Sequence, residues 1–266
     1  MKVGVTGASG FIGRALCDAL LTAGHEVLSI DARVGEVPAM EALVHLAGIA
    51  SSRAHREKLD AVNVGLTVRL ARAAAARGSS LVFVSSVKVH GESSQSPVRE
   101  TSPIIPSDAY AMSKARAEEA LRAIPGLRLA VLRPPLVYGP RVKANFLYLM
   151  NAIARGVPLP LASVTNRRSF IYLGNLTAAL LRSLAAEGTF LVSDGEALST
   201  PQICQALGDA LGRPPRLFAF PSQLLPTKVR GSLEIDDTLF RRTFGWRAPY
   251  SVEDGIEETV RWYRSR

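Results

Sequence analysis

The sequence predicts an α/β fold: a doubly wound parallel sheet followed by a small C-terminal lobe. Three observations lead there. A short apolar run, Lys2–Thr6, feeds a glycine-rich turn and then a stretch of helical periodicity. A second apolar run, Glu26–Ile30, follows that helix and ends at Asp31. Further apolar runs then alternate with helical stretches, and such strand–helix alternation builds parallel sheets with helices on both faces.

The elements follow in order. Lys2–Thr6 is the first strand, Gly7–Gly13 the turn, and Arg14–Ala23 a helix that Gly24 stops. Ala42–Leu46 is a strand running into His45-Leu46-Ala47-Gly48, and Leu59–Ala76 is a long helix containing Asn63. Ser80–Ser85, Tyr110–Ala123 and Leu127–Leu132 are expected as strand, helix and strand, the last followed by Arg133-Pro134-Pro135. Beyond Leu136 the order loosens. Arg155–Pro158 and Gly212–Pro215 are helix stops, Phe190–Ser193 begins the last third, and Val252–Arg264 is a final amphipathic helix. Residues 1–140 are expected to form the first domain. Residues 141–266 are expected to form mainly the lobe, interwoven with the last strands of the sheet.

The glycine-rich turn, Gly7-Ala8-Ser9-Gly10-Phe11-Ile12-Gly13, sits where a strand becomes a helix. There Gly7 permits a sharp turn, Gly10 lets a pyrophosphate approach the backbone, and Gly13 lets helix and sheet pack closely. The helix N-terminus adds free N–H groups and positive dipole. Asp31, at the end of the second strand, can accept hydrogen bonds from an adenosine ribose, which favours NAD; Arg33 nearby keeps NADP open. A Rossmann-type dinucleotide domain is therefore expected.

Composition sets limits. The chain has 266 residues, of which 47% are hydrophobic and 21% charged, with a net charge of +9. The charge suits an anionic ligand such as a nucleotide. Its positive residues are scattered, without a basic run or interleaved aromatics, so no nucleic-acid partner is expected. No apolar run reaches membrane-spanning length, and the N-terminus enters a strand too soon for a signal peptide. Two cysteines, Cys17 and Cys204, form no metal or disulfide pattern. A cytoplasmic protein without a metal is expected.

Tyr110 and Lys114 in YAMSK lie four residues apart, on one face of a helix. Alone, that spacing is compatible with two solvated side chains. In order along the chain, however, TGASGFIG, HLAG, Asn63, VSSVKVHGE, YAMSK, LRPPLVYGP and RRSFIYLGNL resemble the extended short-chain dehydrogenase/reductases. These are NAD-dependent nucleotide-sugar epimerases, dehydratases and 4-keto reductases.

The resemblance implies a catalytic set of Ser86, Tyr110 and Lys114, with Ser85 the neighbouring alternative to Ser86. A phenol of pKa about 10 is a poor base unless positive charge favours its phenolate. Tyr110 would take a proton from a sugar hydroxyl, Ser86 would bind the same oxygen, and Lys114 would also hold the nicotinamide ribose. Gly7, Gly10, Phe11, Ile12, Gly13, Asp31, Leu46, Ala47, Gly48, Lys114 and Pro134 are implied to contact the cofactor. Ser86, Lys88, Asn145 and Arg168 are implied to contact a UDP-sugar, and Asn63 to tie its helix to the active-site strand. A homodimer through the helices bearing Asn63 and Tyr110 is also implied.

Two departures from the family pattern matter. Only ten residues separate Asp31 from Ala42, where relatives have roughly thirty more, so an edge strand should be missing and the adenine end of the site exposed. Val87-Lys88 stand where dehydratases carry Asp-Glu, so no dehydratase activity is expected. The leading expectation is a UDP-hexose 4-epimerase. The alternatives are an NAD(P)H-dependent reductase of a UDP-4-keto sugar, of the N-acetylquinovosamine type, and a non-catalytic dinucleotide- or nucleic-acid-binding member.

Overall fold

A computed structural model describes residues 1–33, 37–51 and 54–266. Six parallel strands form the main sheet in the order β2-β1-β3-β4-β5-β8. They are β1 (Lys2–Thr6), β2 (Glu26–Ile30), β3 (Ala42–His45), β4 (Ser80–Val84), β5 (Arg128–Arg133) and β8 (Gly188–Leu191). β3 and β4 are buried at every residue, as expected of strands covered on both faces. Alternate side chains serve opposite cores. Val3, Val5, Val44, Val82 and Val84 pack with Leu16 and Leu20 of α1 (Phe11–Thr22) and Leu176 and Leu180 of α6 (Leu173–Arg182). Leu43, Leu81 and Phe83 face Leu70 and Ala74 of α3 (Thr67–Ala76) and Leu121 of α4 (Ala109–Arg122).

The expected gap after β2 is present. β2 is the edge of the sheet, and the chain returns across β1 to β3 through residues 31–41. Val37 and Met40 from this connector are buried with Ile30, Leu43 and Leu70, on the face that α3 covers further along the sheet. Met40 lies over the bare backbone of Gly4, where a Cβ would stand 2.3 Å from its sulfur. Arg69 of α3 donates to the carbonyls of Ala32 and Arg33, at 3.1 and 3.0 Å. Among the described residues, two apolar side chains and one arginine thus close this edge of the core.

Two expectations shift in detail. The first helix begins at Phe11 rather than Arg14, so the end of the glycine turn is the first helical turn. The long helix starts at Arg56 and is not uniform: α2 (Arg56–Leu59) leads into a π-helical segment, Asp60–Leu66, and then α3. Helical periodicity alone does not signal that wider turn, which Asn63 occupies.

The lobe has its own core. β6 (Leu136–Tyr138), β7 (Arg168–Tyr172) and β9 (Ala197–Leu198) form a three-stranded sheet. Around it pack α5 (Ala144–Ala154), α7 (Thr200–Leu211) and α10 (Val252–Arg264), which bury Met150, Ile153, Leu207 and Ile256. Ser199 caps α7 in a capping box with Gln202, and left-handed Gly212 ends it. A polar knot joins the lobe to the β8 end of the main sheet. Asp194 accepts from the Tyr138 hydroxyl at 2.9 Å, the Tyr172 N–H at 2.9 Å and the Asn175 amide at 2.7 Å.

Met40→Ala should lower the stability of the fold by about 2–4 kcal/mol, as buried truncations do. Urea titration of both proteins measures this; a loss below about 0.5 kcal/mol would show that the connector does not seal the core.

Candidate active site

The site sits at the C-terminal ends of β1, β3, β4 and β5, where parallel sheets of this kind bind their ligands. At the end of β1 the backbone turns through Gly7, at φ +69°, and enters α1. Gly10 is the N-cap of α1, and no side chain caps the helix. A Cβ on Gly13 would lie 2.1 Å from the Gly7 carbonyl oxygen, so the helix packs against the turn as closely as backbone allows. The uncapped first turn of this twelve-residue helix suits a dinucleotide diphosphate.

Next to the turn is a cleft of about 300 Å³. Phe11, Ile12, Leu46, Gly48, Ser86, Tyr110, Lys114 and Pro134 line it, bringing together most of the residues expected at the cofactor and the catalytic centre. Ala47 lies beside the turn rather than in the cleft; its N–H donates to the Thr6 hydroxyl at 3.1 Å. The apolar lining and the uncapped turn beside it fit a bound dinucleotide.

Asp31 stands at the end of β2 as expected, but Arg33 occupies its carboxylate. The guanidinium donates to both oxygens, at 3.0 and 2.8 Å, and the Arg33 N–H donates at 2.9 Å. Those bonds hold the Asp31 carboxyl down to about 2. A ribose hydroxyl would share or displace this pair, which lies open to solvent.

At the start of α4 stand Asp108, Tyr110 and Lys114. Asp108 caps α4 by accepting from the Ala111 N–H at 2.7 Å. Tyr110 follows, and burial pushes its phenol up to about 12, with the Ser86 hydroxyl bound beside it pulling the other way. Lys114 is buried; its ammonium donates to the Val84 carbonyl at 2.8 Å and lies 4.6 Å from the centre of the Phe83 ring. Burial draws it down to about 8, Glu118 opposing. The phenol at rest is therefore fully protonated at neutral pH, and additional positive charge is needed to draw off its proton.

Ser85 is not free to share the role of Ser86. It donates at 2.5 Å to Glu118, which also receives Arg133 and Arg122. Burial works against the Glu118 charge, but these donors outweigh it and hold its pKa low. His90 completes this cluster. Its Nδ1–H donates to the Pro103 carbonyl, leaving Nε2 to accept from Arg133 at 3.0 Å.

Asn63 anchors its helix, but to a loop and to α4 rather than to the active-site strand the resemblance implied. Its amide donates to the Ile49 carbonyl and the Ser113 hydroxyl, at 3.0 and 2.9 Å, and its oxygen accepts the Ile49 N–H at 2.8 Å. The helix is thus tied both to the loop after β3 and to α4 between Tyr110 and Lys114. Behind Asn63 lies a chain without a signal in the sequence. Thr67 donates to the Asn63 carbonyl at 2.9 Å, so it accepts from His45 Nε2–H at 2.8 Å. His45 Nδ1 then accepts from the Thr6 hydroxyl at 2.7 Å, whose oxygen receives the N–H groups of Leu46 and Ala47. Burial, and then the Lys114 charge, push His45 down to about 3, so it is neutral.

The expected substrate residues divide. Asn145 and Arg168 line one hollow in the lobe, about 390 Å³, with Lys228 and many apolar side chains. Arg168 donates to the Gly231 carbonyl at 2.8 Å. Lys88 is not among the residues lining either hollow and is paired with Glu92 and Asp108, at 2.5 and 3.0 Å. Burial opposes its charge, but these two carboxylates outweigh it and raise its pKa. Lys143, absent from the expected set, lines the catalytic cleft. Among the described residues no group of His, Cys, Asp and Glu could hold a metal, and no helix is long and apolar enough to cross a membrane.

Residues 3–192 match the NAD dependent epimerase/dehydratase family. The chain belongs to that family, and it is an NAD-dependent enzyme. It is 34% identical to the UDP-glucose 4-epimerase of Vibrio cholerae over 222 residues, covering 75% of this chain and 68% of that one. Against the UDP-glucose 4-epimerase of Mycolicibacterium smegmatis it is 27% identical, covering 100% of this chain and 99% of that one. The crystal structure of the Thermus thermophilus UDP-glucose 4-epimerase in complex with NAD superposes with a TM-score of 0.83 at 25% identity, covering 99% of each chain.

The Lys114 environment carries a pH signature. Folding lowers its pKa to about 8 from an unfolded value near 10.4, so between those values the unfolded chain binds more protons. The stability of wild type relative to Lys114→Met should therefore rise from pH 8 to pH 10, by up to about 3 kcal/mol. Urea midpoints across that range measure it; a difference independent of pH would contradict a charge buried at this cost.

Proposed function

We propose that this enzyme inverts C4 of a UDP-hexose through a 4-keto intermediate. The supporting observation is the convergence of Ser86, Tyr110 and Lys114 on one cleft beside the uncapped glycine turn. NAD, when bound, supplies the hydride acceptor and donor for C4. Tyr110 takes the proton from the C4 hydroxyl and returns it after inversion. Ser86 binds that oxygen and orients it, and Lys114 supplies positive charge that favours phenolate. Asn145 and Arg168 hold the substrate diphosphate, the guanidinium suiting paired oxygens. The epimerases from V. cholerae and M. smegmatis support the sugar class.

A second reading, reduction of a UDP-4-keto sugar, draws on the short connector after β2 and the solvent-open Asp31–Arg33 pair. A cofactor held weakly at that end would exchange between turnovers, and exchange favours net reduction over internal return.

The test is NMR of products after incubation with NAD⁺ and UDP-glucose. UDP-galactose should form, and Tyr110→Phe should lower the rate by about 10²–10⁴-fold. Consumption of NAD(P)H on a supplied UDP-4-keto sugar, with no inversion, would select the reductase instead. Neither enzyme should release a 4-keto-6-deoxy sugar, because Val87 and Lys88 offer no acid to the leaving hydroxyl. Its detection would overturn this assignment.

A further inference from the structure

The net charge of the chain is not spread evenly. Residues 141–168 and 212–232 hold nine of its 32 lysines and arginines and none of its 23 aspartates and glutamates. The rest of the chain carries 23 charges of each sign and balances, so the whole +9 falls in these two segments. Arg167 is paired with Glu234, and Arg168 lines the lobe pocket. The other seven cations are exposed and form no ion pair among the described residues. Unpaired cations gathered on one surface repel one another, and an anionic counterpart relieves that repulsion.

The fold lays the two segments side by side. Residues 213–218 run along the chain that follows α5. The Arg213 guanidinium donates to the Ala154 carbonyl at 2.6 Å, the Leu159 N–H to the Arg216 carbonyl at 2.8 Å, and the Ala162 N–H to the Phe218 carbonyl at 3.1 Å. Leu225 and Lys228 then join Tyr148 of α5 in lining the lobe pocket. Apolar side chains stand open to solvent on the same segments: Leu224 is 72% exposed, Tyr148 71%, Phe218 45% and Val157 43%. Arg155, Val157, Arg213, Arg216, Phe218 and Leu224 line neither the catalytic cleft nor the lobe pocket, so cofactor and substrate do not account for them.

The chemistry of this surface narrows what covers it. A second copy of the same face would bring like charge against like. A nucleic acid would meet the guanidinium groups, but Leu224 and Val157 offer nothing to a phosphate or to a polar base edge. Cations interleaved with exposed aliphatic and aromatic side chains match a bilayer interface, where anionic headgroups overlie acyl chains.

We propose that this face of the lobe docks the enzyme on an anionic phospholipid bilayer, with the arginines at the headgroups and Leu224, Phe218 and Tyr148 entering the interface. Such docking needs neither cofactor nor sugar, so it stands or falls apart from the C4 reaction. Each cation near an anionic surface should strengthen partition roughly fivefold.

The test is co-sedimentation of the full chain with vesicles of phosphatidylcholine, alone or with about one-third phosphatidylglycerol. The wild type should partition at least about tenfold more strongly onto the anionic vesicles, and raising salt from about 0.1 M to about 1 M should release most of it. Arg155→Glu with Arg216→Glu should lower partition at least about tenfold. Arg242→Glu with Arg247→Glu removes the same charge from the balanced part of the chain and should lower it by less than about threefold. Leu224→Ser should lower it at least about threefold, and thermal melting should show all variants folded. Equal partition onto the two vesicles, equal losses in the two double variants, or an unchanged Leu224→Ser would overturn the inference. Absence of partition onto either vesicle would overturn it on the wild type alone, and binding of a duplex DNA in that case would assign the face to nucleic acid.

Discussion

The site depends on one buried hydrogen-bond chain with a single consistent direction. Thr67 donates to Asn63, His45 to Thr67, and Thr6 to His45, while Leu46 and Ala47 donate to Thr6. Every hydroxyl and both ring nitrogens are satisfied only if the imidazole is neutral, with its proton on Nε2. In a low-dielectric interior such a network is rigid when complete and costly when any member is lost. It joins the ends of β1 and β3 to the long helix, and Asn63 carries the connection on to Ser113 in α4. The glycine turn that suits the cofactor and the helix that carries Tyr110 are held in one frame by this chain.

A second buried cluster fixes the other side of the cleft. Glu118 gathers Ser85, Arg122 and Arg133, and Arg133 reaches on to His90. The ionic pair is matched by enough donors to offset its desolvation, which is the condition for a buried charge to be tolerated. Its consequence is a division of labour between adjacent serines. Ser85 is spent on structure, and Ser86 is left to face the cleft with Tyr110. Lys114 lies between the two frames, close enough for its charge to depress His45 and for Glu118 to support its own.

Much of this was legible in the sequence because it rests on local chemistry. The glycine turn, the alternation of strands and helices, the Tyr110–Lys114 spacing and the short connector after Asp31 all appear where the chain indicated them. What was not legible depends on contacts between distant segments. The π-helical turn around Asn63 keeps an apolar rhythm close to that of an α-helix. His45 reads as one more residue of an apolar strand until Thr6 and Thr67 are placed beside it. Lys88 is paired with Glu92 and Asp108, a convergence set by the loop between β4 and α4. Lys143 lines the cleft between two neighbours in left-handed backbone, a conformation that neither arginine nor alanine announces.

In the proposed reaction the C–H bond breaks at C4, and Tyr110 moves only the hydroxyl proton. The most direct measurement follows UDP-hexose deuterated at C4 through inversion, with one equivalent of NAD⁺ and NMR of the product. Deuterium should remain on C4 of the inverted sugar. Deuterium lost to water would contradict it, because the hydrogen on C4 would then have left as a proton.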